Sequence, residues 1–277
     1  MTTLNATRIE KMASMSGVGW NQTSSMIIPT GRTYQSIILK TNIKKPEQIK
    51  VARVTLNSEQ IYVPTGKDLV RYQKQIGQKV IEGFYVIPFA NPTMREQGGI
   101  MCTALVTEHN DAITLEIDLG DGDQEVGEPM IEVWGVVSDV VSQRIMIPRW
   151  QYQSMQAGAI GENTFDNITW SPYRYITDIE FKASQVKELK VSRDYVEVYK
   201  ATKDINDFVM QQNNQNLTPP ADVYWFNPVQ RGMLKDYAFA TMHKDQLRFT
   251  AVCDAEVNSI SVLVRSFEVV RPEFFKS

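Results

Sequence analysis

The chain has 277 residues, 43% of them hydrophobic, and 29 lysines and arginines against 32 aspartates and glutamates give a net charge of −3. That length and apolar content suffice for two ordinary cores, and a slightly acidic chain offers no electrostatic footprint for DNA or RNA, so direct nucleic-acid binding is not expected. No apolar run approaches the ~20 residues needed to span a bilayer, and the first residues lack the basic, apolar and small-residue order of a signal peptide, so a soluble cytoplasmic product is expected.

Met1 to Gln22 is polar and Met-rich, and Ile9, Met12 and Met15 within it have the spacing of an amphipathic helix of about two turns. Residues 1–24 therefore read as an N-terminal arm, either a disordered terminus or one that orders only against a neighbouring subunit or a membrane surface. A strand ending in Ile27-Ile28 is stopped by Pro29-Thr30-Gly31, Thr33 to Lys40 is the next, and Ile49 to Leu56 follows the turn at Lys44-Lys45-Pro46. A short helix then carries Leu69, Tyr72 and Ile76 on one stripe, with Thr65 placed to cap its start. In Ala112 to Leu119, Ile113, Leu115, Ile117 and Leu119 alternate with polar residues, as a half-buried antiparallel strand requires.

Ile131 to Val141 is longer and apolar on both faces in places, and the domain boundary is expected in Ser142 to Gly161. Beyond it Leu247 to Cys253 alternates as Ala112 to Leu119 does, and Val257 to Val270 is again two-sided, the pattern of a strand covered by another domain or subunit. Cys102 and Cys253 sit in strand-like segments at non-equivalent places, so both read as free buried thiols.

The two halves echo each other. Val51 and Arg53 answer Val191 and Arg193; Lys67, Asp68, Leu69 and Tyr72 answer Lys203, Asp204, Ile205 and Phe208. Phe84-Tyr-Val-Ile-Pro88 answers Tyr224-Trp-Phe-Asn-Pro228, and the chain's two histidines, His109 and His243, hold one position in the motifs running from Thr107 to Leu115 and from Thr241 to Phe249. Blocks that recur in one order imply two copies of one domain, each of about 120 to 140 residues. Many short strands with one helix per copy point to an all-β chain of two tandem jelly-roll β-sandwiches, a double jelly roll spanning residues 25–145 and 146–277, each with a short helix excursion. In the second helix Ile205, Phe208 and Val209 are expected to form the stripe that covers one end of the sandwich.

The order Pro29-x-Gly31-x-Thr33-Tyr34, Ile49-Lys50-x-x-Arg53-Val54, Asp68-Leu69 and Glu116-Ile117-Asp118 resembles the first half of corticovirus-type major capsid proteins, the double jelly-roll shells of tailless, membrane-containing bacteriophages. The similarity covers residues 25–120 best, while the N-terminal arm and an insertion from Gly161 to Ser171 depart from the pattern. What the resemblance implies is a structural, non-enzymatic protein, assembled in the host bacterial cytoplasm and carried in the virion. Its homotrimers would tile an icosahedral shell over an internal membrane, with neighbouring capsomers, a penton or vertex protein and minor membrane proteins as partners.

Catalytic, cofactor and metal residues are expected to be absent. A tandem-cupin enzyme would need several metal-ligating histidines in one domain, and this chain has one per domain. His109-x-Asp111 and His243-x-Asp245 read as polar turn residues rather than as base and orienter. No Gly-x-Ser-x-Gly elbow or phosphate-cradling glycine loop occurs. Asp118, Asp121 and Asp123 are the one stretch suited to Ca²⁺, although Asp-Gly at a strand end is more simply a turn. The sequons at Asn5, Asn21, Asn167 and Asn216 carry no weight without a secretion signal. Trp134, Trp150, Trp170 and Trp225 leave a lectin-like carbohydrate-binding sandwich as the alternative, against their commoner use in core packing.

Overall fold

The computed structural model describes residues 7–96, 100, 103–122, 126–139 and 143–275. They form two compact units, each built from two antiparallel sheets. In the first unit β1 (Arg8–Lys11), β9 (Ile131–Asp139), β3 (Arg32–Thr41) and β6 (Phe84–Pro88) make one sheet in the order β1-β9-β3-β6, with β7 (Leu105–Val106) beside β3. The other sheet runs β5-β4-β8-β2, from β5 (Glu59–Tyr62), β4 (Ile49–Leu56), β8 (Ile113–Leu119) and β2 (Thr23–Ile27). Strict alternation in β8 puts Ile113, Leu115, Ile117 and Leu119 on the buried face, as its period of two dictates.

The second unit repeats the scheme. Here β15 (Tyr224–Phe226), β12 (Arg174–Lys182), β18 (Ser259–Val269) and β10 (Met146–Gln156) form one sheet, with β16 (Phe239–Ala240) beside β12. Its partner runs β11-β17-β13-β14, from β11 (Gly161–Phe165), β17 (Leu247–Cys253), β13 (Val186–Arg193) and β14 (Val196–Thr202). Strand for strand in chain order, β10-β18-β12-β15 repeats β1-β9-β3-β6 and β11-β17-β13-β14 repeats β2-β8-β4-β5, so the chain is a double jelly roll. The units are not contiguous halves. Residues 93–96 belong to the second, where the Arg95 N–H donates to the Gly232 carbonyl at 2.8 Å, and the chain from Val270 returns to the first, where the Val270 N–H donates to the Ile145 carbonyl at 2.8 Å.

The registers fix which residues are counterparts. Val54 faces Leu115 as Val191 faces Phe249, so Val191 answers Val54 rather than Val51, and Lys190, not Arg193, answers Arg53. Asn57-Ser58 and Asp194-Tyr195 are both two-residue turns with positive φ, the twist that joins a tight antiparallel hairpin. Ile37 faces Ile87 as Ile179 faces Phe226, one residue from the expected match, and Tyr85 and Tyr224 are accordingly the buried pair. A shift of one residue turns a side chain to the opposite face, so burial decides the alignment where sequence similarity does not.

Two further expectations change. Ile9 to Met15 does not form a helix: β1 pairs with β9 from Arg8↔Val137 to Lys11↔Trp134 and is the first strand of the first roll, so residues 8–24 are not an arm. The open edge of β9 supplies backbone partners that an isolated two-turn helix could not match, and Glu10 and Lys11 are further held by Arg32 and Glu132. The supposed insertion after Gly161 contains β11, which pairs with β17. Within the single chain β18 is buried on both faces, and Trp134 and Val136 leave one face of β9 half-buried. Cys253 is a free buried thiol whose pKa burial pushes up; Cys102, Asn5 and residues 140–142 lie outside the described residues.

Besides single-turn helices such as Pro46–Gln48 and Leu234–Tyr237, each roll carries a longer helix between its sheets' strands, α1 (Gly66–Gln75) and α2 (Lys203–Asn213). A capping box starts α1: Thr65 Oγ1 accepts from the Asp68 N–H at 3.2 Å while Asp68 Oδ2 accepts from the Thr65 N–H at 2.8 Å. At the start of α2 Thr202 makes no such side-chain cap. Thr65→Ala should therefore cost about 1 kcal/mol of unfolding free energy and Thr202→Ala only a few tenths of that. Urea denaturation of both variants checks this, and equal losses would contradict the assignment of caps.

Candidate functional site

The loops that carry the two histidines brace the hairpin turns. In the first roll Asn57 Nδ2 donates to Asp111 Oδ1 at 2.9 Å, the Ala112 N–H donates to Asn57 Oδ1 at 2.9 Å, and Arg144 Nη1 donates to Asp111 Oδ2 at 2.7 Å. Burial pushes the Asp111 carboxyl up, but the bonds from Arg144, the Glu108 N–H and Asn57 outweigh it and hold its pKa below the usual value. In the second roll Asp194 does the work of Asn57, accepting the backbone N–H groups of Lys244 and Asp245 at 3.0 and 2.7 Å, and these bonds lower its pKa. The histidines themselves are peripheral: the exposed His109 lies against Gly31, and His243 Nδ1 contacts the Thr241 carbonyl at 2.9 Å. Asp111 is committed to Arg144 and Asn57, and Asp245 is exposed, so the geometry is that of braced turns.

The aspartate stretch is likewise occupied by structural bonds. Asp118 takes Arg53 Nη2 at 2.8 Å and Thr23 Oγ1 at 2.7 Å, and the Asp121 carbonyl accepts from Gln48 Nε2 at 3.3 Å. Asp123 lies outside the described residues, among which no three His, Cys, Asp or Glu side chains converge.

A cluster that the sequence reading passed over occupies the sheet face of the second roll opposite its core. Alternation sends Ile179 and Phe181 into the core and Asp178 and Glu180 to the other face, where both are buried. Arg265 of β18, itself 2% exposed, bonds both carboxylates and stacks over Trp150 at 4.5 Å from the ring centroid, while Trp225 Nε1 donates to Asp178 Oδ1 at 3.0 Å. Burial pushes the Asp178 carboxyl up and the Glu180 charge adds to it, while Arg265 and the bond from Trp225 oppose the shift. The sequence signal was present: two acids and an arginine at alternate positions of otherwise apolar strands. It also settles the tryptophans. Trp150 and Trp225 are buried around this cluster, Trp170 is exposed and donates to the His243 carbonyl at 3.0 Å, and the half-buried Trp134 lies under Lys11, so the four do not form one sugar-binding face.

The helices differ in what they expose. Leu69 and Gln73 of α1 and Asn206 and Met210 of α2 are buried, but Ile205, Phe208 and Val209 are 55%, 60% and 41% exposed. The expected buried stripe of α2 therefore points to solvent, because the helix docks with Asn206, which bonds Tyr199 at 2.7 Å and the Trp225 carbonyl at 3.0 Å. Sequence matching aligned Ile205 with Leu69, whereas the helix starts at Thr65 and Thr202 make Asn206 the counterpart of Leu69.

Residues 9–138 match the model of the viral coat protein P2 N-terminal domain, and residues 147–270 match that of its C-terminal domain. The chain belongs to the viral coat protein P2 family. The chain is thus a structural protein of a viral coat, and its double jelly roll agrees with that assignment. The crystal structure of the major capsid protein P2 from Bacteriophage PM2 superposes with a TM-score of 0.85 at 18% identity, over 96% of this chain and 98% of that one. A chain of Sulfolobus Turreted Icosahedral Virus gives 0.68 at 8% identity, over 95% and 91%. The Faustovirus major capsid protein gives 0.61 at 7%, over 98% and 92%. A search of the curated proteins finds no match.

The cluster makes two measurable predictions. Arg265→Ala strands two buried carboxylates and should cost about 3–5 kcal/mol, while Arg53→Ala, which breaks half-exposed pairs with Glu116 and Asp118, should cost about 1 kcal/mol or less. Calorimetric and urea unfolding compare them. Because burial raises the pKa of Asp178 in the folded chain above its unfolded value, its contribution to stability falls as pH rises above the ordinary carboxylate range. Wild type should therefore lose stability relative to Asp178→Asn as pH rises above that range, and a difference that is flat or opposite in sign contradicts a raised pKa.

Proposed function

We propose that this capsid protein works as a homotrimeric tile, three chains around a threefold axis presenting six jelly rolls in a near-sixfold outline. The observation that carries the reading is the duplication itself: two rolls of identical strand order in one chain. A hexagonal lattice needs tiles with six similar edges, and six separate sandwiches would be joined by six weak seams. Covalent linkage of two rolls removes the association entropy of half of those seams, and closed cyclic symmetry satisfies the rest.

In this reading the tile meets neighbouring capsomers at its edges, a vertex protein at the fivefold positions and an internal membrane or its minor proteins on its inner side, following the resemblance to shells of membrane-containing bacteriophages. Assembly takes place in the host bacterial cytoplasm. In this reading the protein carries no enzymatic centre; the histidines are peripheral to the braced turns, and Asp111 and Asp118 are already paired with Arg144 and Arg53. Light scattering at micromolar concentration under reducing conditions should give a mass near three times 31.6 kDa. His109→Ala and His243→Ala should leave that mass unchanged. A persistent monomer or twofold dimer would remove the tile, and a glycan-dependent monomer would favour the carbohydrate-binding alternative.

A further inference from the structure

Alignment of the two helices at their N-terminal caps sets a covered face beside a bare one. Asp68, Tyr72 and Gln75 of α1 are buried, and their counterparts Ile205, Val209 and Gln212 of α2 are exposed. Phe208, between them, answers the half-buried Arg71 and is also exposed. The covered face of α1 is largely polar, yet the bare face of α2 carries the apolar residues, the reverse of what solvent exposure favours. The strand leading into α2 adds to it: β14 pairs with β13 alone among the described strands, and Val196 and Val198 on this outer strand are exposed.

We infer that Ile205, Phe208 and Val209 of α2 form the face by which one copy of this chain packs on another within the trimer. The inference rests on the trimeric reading and names the surface that reading needs. A second copy is the occupant the molecule itself suggests, since α1 shows that this fold can cover the same helix face with its own residues, and cyclic symmetry covers the patch on every subunit at once. The rim argues against a membrane. An interfacial helix carries Lys or Arg beside its apolar face, whereas Asp204, Gln211 and Gln212 are the exposed polar residues of α2 and Lys203 is tied to Asp207 at 2.6 Å.

The test is Phe208→Asp, alone and with Ile205→Asp, with mass read by light scattering and folding by thermal unfolding. Because both side chains are exposed in the single chain, the variants should unfold as wild type does when monomeric, yet lose the trimer mass and run at 31.6 kDa. Hydroxyl-radical footprinting of Phe208 in the wild-type protein provides a second readout should a variant fail to fold, with protection in the trimer that disappears on dilution to monomer. A wild-type trimer alongside trimeric variants, or an unprotected Phe208 in that trimer, overturns this inference and leaves the trimer standing. A monomeric wild type overturns the trimer first. Protection that appears only with vesicles of phosphatidylethanolamine and phosphatidylglycerol assigns the stripe to a membrane and overturns the inference as well.

Discussion

Each roll is organised around one long antiparallel pair, β3 with β9 and β12 with β18, and around an irregularity both pairs share. The register shifts between Tyr34 and Ser36 in the first and between Ile176 and Asp178 in the second, so the extra residues Gln35 and Thr177 hold one place in the two copies. A bulge raises the local twist and re-aims the side chains beyond it. Here it brings Ile37 and Leu39, and Ile179 and Phe181, onto the core face of the strands that also receive β6 and β15. In the first roll the Gln35 carbonyl accepts the N–H groups of both Phe89 and Ala90 at 2.9 Å, so the bulge anchors the chain leaving β6. Move it by one residue and every later pairing on that sheet presents the wrong face.

Much of this was legible because strand alternation is local. Ile49 to Leu56 announced its strand through β-branched residues and the run from Ile113 to Leu119 through apolar residues at every second position, and the paired histidine motifs located equivalent loops in both copies. Thr107 and Thr241 confirm that equivalence, each N–H donating to the opening residue of its partner strand, Arg32 or Arg174, at 2.9 and 3.0 Å. What escaped was decided by partners distant in sequence. Arg8 to Lys11 is too short and charged to declare itself a strand, and only the free edge of β9 makes it one. The counterpart of Leu69 was missed for a related reason: Asn206 is polar, and its burial is tolerated only because Tyr199 and the Trp225 carbonyl complete its hydrogen bonds.

The two helices show how duplication permits divergence without loss of fold. Both dock between the same strands, α1 against β4 and β6, α2 against β13 and β15, so the scaffold fixes their position. The remaining helix surface is under no such constraint. In α1 the capping box commits Asp68 to the helix start, and Tyr72 and Ile76 are buried. In α2 the counterparts of Asp68 and Tyr72, Ile205 and Val209, are exposed and apolar, an exposure the roll itself does not require.

The buried charges of the second roll are the clearest divergence of all. Registers equate Asp178, Glu180 and Arg265 with Ser36, Ile38 and Val136, all half-buried in the first roll, so the fold accepts an uncharged trio at this place. Replacement of a buried ionic triad by apolar groups is often neutral or stabilising, and stability therefore does not explain why charges occupy it. The trio instead makes β12 and β18 depend on each other: without Arg265 of β18 the buried Asp178 and Glu180 of β12 lose the cation they share, a dependence that the half-buried and uncharged Ser36, Ile38 and Val136 do not impose on β3 and β9.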